Sequence, residues 1–213
     1  MFHIKSNQRA YLLLCCTYFL VGGLLLLLLH QGDEILYFDA RRTTFGDVFF
    51  KIITRLGEEI PYVLVLLLFL FQRQYIKALG VPALALTVTT VSYLLKTFFA
   101  QARPGRFFQT LGHLEQMNLV EGVKLNMGLT SFPSGHTLSA FALTTFIVVA
   151  ARTKSVWTIF FFLLAVLVAV SRIYLVQHFL RDVYFGAAVG LLLGWLWAYV
   201  VNKRQKVQTS PVA

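Results

Sequence analysis

Acidic residues are scarce in this chain of 213 residues, which has nine Asp and Glu against nineteen Lys and Arg. Charged residues of both signs make up only 13% of the sequence, whereas 58% of it is hydrophobic. This composition excludes an ordinary soluble domain, and several apolar blocks are long enough to cross a bilayer. We therefore expect one integral membrane domain over residues 1–213, with no second domain.

Cysteine is also rare, and its placement excludes a disulfide framework. The two cysteines, Cys15 and Cys16, are adjacent and lie inside the first apolar block. Adjacent cysteines rarely pair, and Leu14 occupies the position where a small residue precedes a lipid-modified cysteine. We therefore interpret both thiols as small apolar side chains within a helix.

The apolar blocks predict an all-α fold with six transmembrane helices. These predicted helices cover residues 10–29, 60–75, 78–100, 133–151, 155–170 and 182–201. The first is too long for a secretory signal and lacks a small-residue cleavage site, so we expect it to be retained. Residues 45–56 carry apolar side chains at helical spacing, which predicts a helix on the membrane surface. We expect a lid or interfacial element over 101–132 and a flexible cytoplasmic tail over 202–213.

Positive charge is distributed unevenly between the two sides of this topology. One side carries no acidic residue and nine basic ones, namely Lys5, Arg9, Arg73, Lys77, Arg152, Lys154, Lys203, Arg204 and Lys206. The other side carries ten Lys and Arg together with all nine acidic residues. The positive-inside rule then places both termini on the cytoplasmic side of a cytoplasmic (inner) membrane. The basic balance is thus a topology signal, and we expect no nucleic-acid partner.

Three polar clusters interrupt the apolar sequence, and in this topology all three reach the extracytoplasmic face. The first lies at the end of the third predicted helix, where Lys96 and Arg103 stand seven residues apart. Seven residues make two helical turns, so both cations are predicted to project from one face before Pro104 ends the regular structure. Alternatively, the two cations simply reach lipid headgroups at the interface.

The second cluster is Pro133-Ser134-Gly135-His136, directly before an apolar helix. Proline suits the first helical turn, and glycine permits close approach to the backbone. The free amides of that turn, with the hydroxyl of Ser134, can bind an anion. His136 stands at the mouth of this site, able to protonate a departing oxygen. The alternative is a helix cap followed by an interfacial histidine.

The third cluster runs from residue 171 to residue 182 and contains Arg172, His178 and Asp182. A separation of four residues places His178 and Asp182 on one face of a helix, where the carboxylate can fix the imidazole tautomer. The other imidazole nitrogen is then free to attack or to accept a proton. Arg172 brings a planar cation to the same place. Alternatively, the histidine and aspartate form a buried structural pair. Cations, a histidine–aspartate pair and an anion-binding helix start on one face together indicate phosphate chemistry.

Together the three clusters resemble the three-part signature of the type 2 phosphatidic acid phosphatase superfamily. The matching motifs are Lys96-x6-Arg103-Pro104, Pro133-Ser134-Gly135-His136 and Ser171-Arg172-x5-His178-x3-Asp182, and their internal spacing fits without departure. The resemblance extends over residues 93–195. The long apolar helices and small size are similar to the bacterial membrane lipid phosphatases of this superfamily rather than to its soluble members.

This resemblance implies a mechanism for the motif residues. His178 is expected to attack phosphorus and form a phosphohistidine, with Asp182 orienting its ring. Lys96, Arg103, Ser134, Gly135 and Arg172 are expected to hold the phosphate oxygens. His136 is expected to protonate the leaving oxygen and then to activate water. Asp182 is the one acidic residue within the motifs, so we expect no metal ion and no other cofactor.

The leading functional hypothesis is therefore hydrolysis of a lipid phosphate whose tails remain in the bilayer. Candidate substrates are undecaprenyl pyrophosphate, lipid A, phosphatidylglycerol phosphate and phosphatidic acid, the first two being favoured by an extracytoplasmic site. A lipid-to-lipid phosphotransferase would use the same nucleophile. A lipid transporter or scrambler would need the cations but neither histidine, and a vanadate-dependent peroxidase fits poorly with the membrane setting. The sequence carries no signal of oligomeric state.

Overall fold

The computed structural model describes residues 6–151 and 153–209, and this part of the chain is helical, without strands. Its α-helices are α1 Ser6–Leu28, α2 Asp33–Asp39, α3 Thr44–Ile53, α4 Glu59–Phe71, α5 Tyr75–Phe99, α6 Pro104–Thr110, α7 Gly135–Ala150, α8 Ser155–Tyr174 and α9 Leu180–Thr209. Two short 3-10 helices occupy Thr54–Gly57 and Leu114–Gln116. The predicted all-α class is confirmed. Lys5 and Arg152, which contribute to the predicted charge asymmetry, lie outside the described residues.

Each of the six predicted apolar helices is present, but they differ in length. Within the described residues, four segments are long and apolar enough to cross a membrane: Arg9–Leu28, Tyr75–Thr110, Ser155–Tyr174 and Leu180–Gln208. Helices α4 and α7 have 13 and 16 residues. At about 1.5 Å per residue they fall short of a hydrocarbon core of about 30 Å.

Several predicted boundaries are wrong. The predicted surface helix over 45–56 is divided into α3 and the 3-10 helix Thr54–Gly57, which packs against α7 and α8. Helix α9 continues to Thr209, beyond the predicted end of the sixth helix at residue 201, while 210–213 lie outside the described residues. The connection 101–132 contains α6 and a 3-10 helix, because Pro104 opens a helix at its first position instead of ending one.

Helix α7 forms the centre of the molecule. Its side chains from Thr137 to Ala150 are all buried, which explains why a helix too short to span the bilayer can be so apolar. A row of glycines on α9 faces it, at Gly186, Gly190 and Gly194. A Cβ atom at any of the three would come within 3.0 Å of a backbone carbonyl oxygen of the 134–142 segment. These glycines therefore let the two helix backbones approach closely.

This close approach of α7 and α9 aligns two of the predicted motifs. The backbone N–H of Ser134, which caps α7, donates a hydrogen bond of 3.0 Å to the carbonyl oxygen of Asp182 in the first turn of α9. The start of α9 is fixed from a second direction by Glu34 of α2. Its buried carboxylate accepts a hydrogen bond of 2.8 Å from the backbone N–H of Leu180 and another from Gly32.

Candidate active site

His178 lies at the centre of the site, in the short loop that joins α8 to α9. Its side chain is 1% exposed, and its Nδ1 atom is 3.4 Å from Oδ2 of Asp182. The predicted pairing of these two residues is therefore present. The predicted reason for it is wrong, because α9 begins only at Leu180 and the two residues do not share a helix. The loop folds the imidazole back over the first turn of α9.

Asp182 is fully buried and is held by hydrogen bonds to its Oδ2 atom. The hydroxyl of Ser131 donates one of 2.5 Å, and the backbone N–H of Phe179 donates one of 3.0 Å. On the other carboxylate oxygen, Nε of Arg181 stands 3.6 Å from Oδ1. A carboxylate fixed in this way fixes in turn the imidazole that it faces.

Arg103 faces the other side of the His178 ring. Its Nη1 atom is 3.5 Å from Nε2 of His178 and donates a hydrogen bond of 3.3 Å to the carbonyl oxygen of Gln177. The prediction that Lys96 and Arg103 share a helical face is wrong, because α5 ends at Phe99 and Ala100 adopts a left-handed conformation with φ 43°. Arg103 instead caps the short helix α6. The sharp turn still returns it to the site.

The charge state of His178 follows from this environment. Complete burial and the positive charges of Arg103, Arg172 and Lys96 lower the pKa of His178 well below its usual value of 6.5. The imidazole is therefore neutral at physiological pH. A neutral ring with Nδ1 toward a carboxylate has Nε2 available as a nucleophile.

Arg172 and Lys96 complete a group of three cations around His178. Arg172 lies in the last turn of α8, is 8% exposed, and donates a hydrogen bond of 2.7 Å from Nη1 to the hydroxyl of Thr54. Lys96 lies in the last turn of α5 and points to the start of α7, where a Cβ atom at Gly135 would be 3.3 Å from its Nζ atom. Glycine at 135 thus leaves room for the ammonium group beside the helix N-terminus.

Ser134 and His136 flank Gly135 at that N-terminus. Ser134 is fully buried, and its hydroxyl oxygen accepts a hydrogen bond of 2.9 Å from Thr137. His136 is more accessible, with a 31% exposed side chain. Its Nε2 atom lies 3.6 Å from Oε1 of Glu58, which precedes α4.

An apolar groove of about 540 Å³ leads to this end of the molecule. Helices α4 and α5 supply its walls, and its apolar lining includes Tyr62, Val63, Leu66, Val81, Ala85 and Val88. Glu58, Glu59, Lys96, Gly135 and His136 line its polar part. The groove therefore extends from apolar walls to Lys96 and His136 of the site.

All eight residues that the motifs predicted for the site thus lie in one connected region. Arg181 contacts the ring of Phe179 as well as Asp182. Lys124 contributes its backbone carbonyl oxygen, which accepts a hydrogen bond of 3.2 Å from Gln177. Within the described part of the chain, no group of three or more His, Cys, Asp or Glu side chains could hold a metal ion.

Three residues of the site lie outside every motif, namely Thr54, Glu58 and Ser131. Ser131 and Thr54 are buried and bind motif side chains, and Glu58 stands beside His136. The one sequence signal for them is position: Glu58 directly precedes an apolar helix on the side of the predicted topology that carries the motifs. Nothing in the local sequence separates it from the neighbouring Glu59.

Residues 74–206 match the PAP2 superfamily, and the chain belongs to this family. A lipid A 4'-phosphatase of Bacteroides thetaiotaomicron is 28% identical over 176 residues, which cover 79% of this chain and 76% of the relative. A lipid A 4'-phosphatase of Porphyromonas gingivalis is 35% identical over 104 residues, covering 48% of this chain and 41% of the relative.

Two solved structures are also similar to this chain. The chain is similar to the crystal structure of LpxE from Aquifex aeolicus, with a TM-score of 0.65, 29% identity, and coverage of 78% of this chain and 93% of that one. A transmembrane PAP2-type phosphatidylglycerolphosphate phosphatase from Bacillus subtilis gives a TM-score of 0.64 at 20% identity, covering 95% and 98%. The latter likeness shows the fold alone, and the four long apolar segments of the described residues are those of an integral membrane protein.

Proposed function

We propose that this protein is a lipid phosphatase that removes phosphate from a membrane lipid through a phosphohistidine intermediate. The observation that carries the proposal is the meeting of a neutral, buried His178 with three cations, one of which, Lys96, lines an apolar groove. The lipid A phosphatases to which this chain is similar support the same conclusion. A water-soluble substrate would have no use for an apolar channel that ends at a phosphate site.

In the first step, the Nε2 lone pair of His178 forms a bond to phosphorus while the bond to the leaving oxygen breaks in line. Asp182 holds Nδ1 and stabilises the charge that the ring acquires. His136 gives its proton to the leaving oxygen. In the second step, water attacks phosphorus, the P–N bond breaks, and His136 takes the proton from water.

Charge that builds on the phosphate oxygens is balanced by Lys96, Arg103 and Arg172, and by the amide at Gly135 beside the hydroxyl of Ser134. The Nε atoms of both arginines are buried and have no hydrogen-bond acceptor among the described residues. Such donors are suited to an anion that enters the site. Because the cations are supplied by the chain, the reaction proceeds without a metal ion.

The substrate that we favour is a phosphorylated lipid A, since lipid A 4'-phosphatases match over 79% and 48% of this chain. The groove would hold one acyl chain while the sugar phosphate reaches His178. We further propose six membrane crossings, with the short helices α4 and α7 embedded among the longer ones. Both termini then face the cytoplasm, the site opens to the extracytoplasmic side, and the membrane is the inner membrane.

The test is phosphate release by purified protein in detergent with excess chelator, across lipid A, undecaprenyl pyrophosphate, phosphatidylglycerol phosphate and phosphatidic acid. We expect chelator-resistant release that is greatest for lipid A and absent from His178→Ala. Release that requires added metal, or that survives in His178→Ala, would contradict the mechanism. A rate that depends on an added acceptor lipid would instead identify a phosphotransferase.

A further inference from the structure

The chain makes a close contact with His136 just before α4. A Cβ atom at Gly57 would lie 2.8 Å from both the Cβ atom and the carbonyl oxygen of His136. The absence of a side chain at position 57 therefore lets the backbone pass directly over the histidine. The next residue, Glu58, then has its carboxylate 3.6 Å from Nε2 of the imidazole.

This carboxylate has no visible role in building the helix that it precedes. Glu58 is the N-cap residue of α4, but its side chain makes no capping hydrogen bond. Its side chain is 39% exposed, so it is not part of the packed interior. Among the described residues, the contact found for the Glu58 carboxylate is the one with His136.

The charges around His136 explain why a carboxylate is needed there. The groups that face it are Lys96 of α5, Arg103 at the start of α6, Arg172 of α8, His178 of the loop before α9, and Glu58 before α4. Three of these are cations. A proton on His136 must therefore exist beside three positive charges, which oppose it.

Asp182 places negative charge near Lys96 and Arg103, but it pairs with His178 rather than with His136. Its carboxylate is committed to Ser131, to the backbone N–H of Phe179, and to His178. Glu58 also acts electrostatically on Arg172. Its negative charge is therefore placed to offset the cations on the side of the site from which the leaving group departs.

We propose that Glu58 is a positioning residue for His136, holding the ring and stabilising its protonated form so that it can serve as the general acid. This inference rests on the proposed function. When the bond from phosphorus to the leaving oxygen breaks, the proton moves from His136 to that oxygen. In the second step His136 takes a proton from the attacking water and is again an imidazolium beside Glu58. The site thus contains two histidine–carboxylate pairs: His178–Asp182 for the nucleophile and His136–Glu58 for proton transfer.

A specific kinetic signature follows from this role. A lipid or alkyl phosphate releases an alkoxide, which departs slowly unless it is protonated. A p-nitrophenyl phosphate releases a phenolate that departs as an anion. Loss of Glu58 should therefore slow the first step for the alkyl ester and hardly affect it for the aryl ester.

The experiment measures the rate of phosphoenzyme formation in the first turnover, with radiolabelled dodecyl phosphate and with radiolabelled p-nitrophenyl phosphate. The wild type, Glu58→Gln and Glu59→Gln are compared by rapid quench. Glu59→Gln is the matched control, because Glu59 lines the same groove but forms no ion pair with His136. We expect Glu58→Gln to lose about 10-fold or more on dodecyl phosphate and less than about 2-fold on p-nitrophenyl phosphate, as for removal of general-acid assistance.

The results separate this role from the proposed function. Equal losses on both substrates, or none on either, would overturn the role of Glu58 while labelled wild type still supports a phosphohistidine. A wild type that forms no phosphoenzyme would overturn both. If Glu58→Gln does not fold, Glu58→Asp keeps the carboxylate at a shorter reach and should show a smaller loss of the same selective kind. An unselective loss in Glu58→Asp would also overturn the role.

Discussion

The guanidinium of Arg172 donates a hydrogen bond of 2.7 Å to the hydroxyl of Thr54, across 118 positions of the chain. Both side chains are buried, so the bond is shielded from water. Arg172 belongs to a motif at the end of α8, whereas Thr54 opens the 3-10 helix that leads to Glu58. The segment between α3 and α4 therefore fixes the orientation of Arg172, one of the three cations.

Thr54→Val tests whether the hydrogen bond that orients Arg172 contributes to phosphate binding. Valine keeps the shape of threonine but leaves a buried Nη1 donor without its partner, at a cost of about 1–3 kcal/mol. We expect weaker binding of the phosphate group, seen as a rise in KM for the lipid phosphate with a smaller change in kcat. Steady-state kinetics in detergent micelles gives both values.

The control for this prediction is Thr54→Ser, which retains the hydroxyl. It should keep a KM close to that of the wild type, although it loses a methyl group from the protein interior. If Thr54→Ser and Thr54→Val raise KM equally, the effect comes from packing, and the hydrogen bond to Arg172 has no part in it.

His178 should remain neutral well below pH 6.5. Burial and its three cationic neighbours lower its pKa, so the proton is lost at a lower pH than in a free histidine. Nitrogen NMR of histidine-labelled protein should show a ring that does not gain a proton between pH 7.5 and about 6, where exposed histidines titrate. The signal is assigned from its absence in His178→Ala.

The matched variant for this titration is Arg103→Gln, which is compared with the wild type. It removes a positive charge 3.5 Å from Nε2 of His178, so the pKa of His178 should rise and the ring should gain its proton at a higher pH than in the wild type. A signal that titrates identically in both proteins would show that burial alone sets the charge of the ring.

The apolar groove between α4 and α5 gives a prediction about substrate size. Ala85 lines the groove, and tryptophan at this position would fill much of it. Ala85→Trp should raise the KM for a long-chain lipid phosphate by about 10-fold or more. The acyl chain would lose its burial in the groove, which stabilises binding by about 0.8 kcal/mol per CH₂ group. Hydrolysis of p-nitrophenyl phosphate should be little changed.

Leu86→Trp controls for the substitution itself. Leu86 is the next residue of α5, is 70% exposed, and does not line the groove. It should leave both activities near those of the wild type. Equal KM values of Ala85→Trp and Leu86→Trp for the lipid substrate would show that the acyl chain binds outside this groove.

The motifs predicted the residues of the site better than they predicted its geometry. Lys96, Arg103, His178 and Asp182 meet as expected, but not on the shared helical faces that their spacing indicated. Spacing can be satisfied by a sharp turn as well as by a helix. Tertiary packing determines the left-handed conformation of Ala100 and the loop before α9. No local sequence pattern in those segments reveals either feature.

Contacts between distant segments were beyond prediction for a related reason. Thr54, Glu58 and Ser131 act on motif residues that are 51–118 positions away, and each looks like an ordinary polar residue near a helix end. Hydropathy located the apolar helices well, because burial in lipid imposes a strong constraint on composition. It could not show that α7 is enclosed by protein, since lipid and a protein core favour the same side chains.

The glycine row of α9 leads to the last prediction, which concerns stability. Gly190 faces the backbone of α7, and a Cβ atom there would overlap the carbonyl oxygen of Leu138. Backbone cannot move aside as a flexible side chain can, so Gly190→Ala should push α9 away from α7 and destabilise the fold by about 1–3 kcal/mol.

Gly23→Ala makes the same chemical change in α1, where the new methyl group would meet the hydroxyl of Tyr184 at an ordinary 3.4 Å. Because alanine is the better helix former by about 1 kcal/mol, that control should be neutral or stabilising. Thermal unfolding in detergent compares the two variants, and equal Tm values would refute the close packing of α7 and α9. Since the same packing joins Ser134 to Asp182, phosphatase activity should fall with stability in Gly190→Ala and be retained in Gly23→Ala.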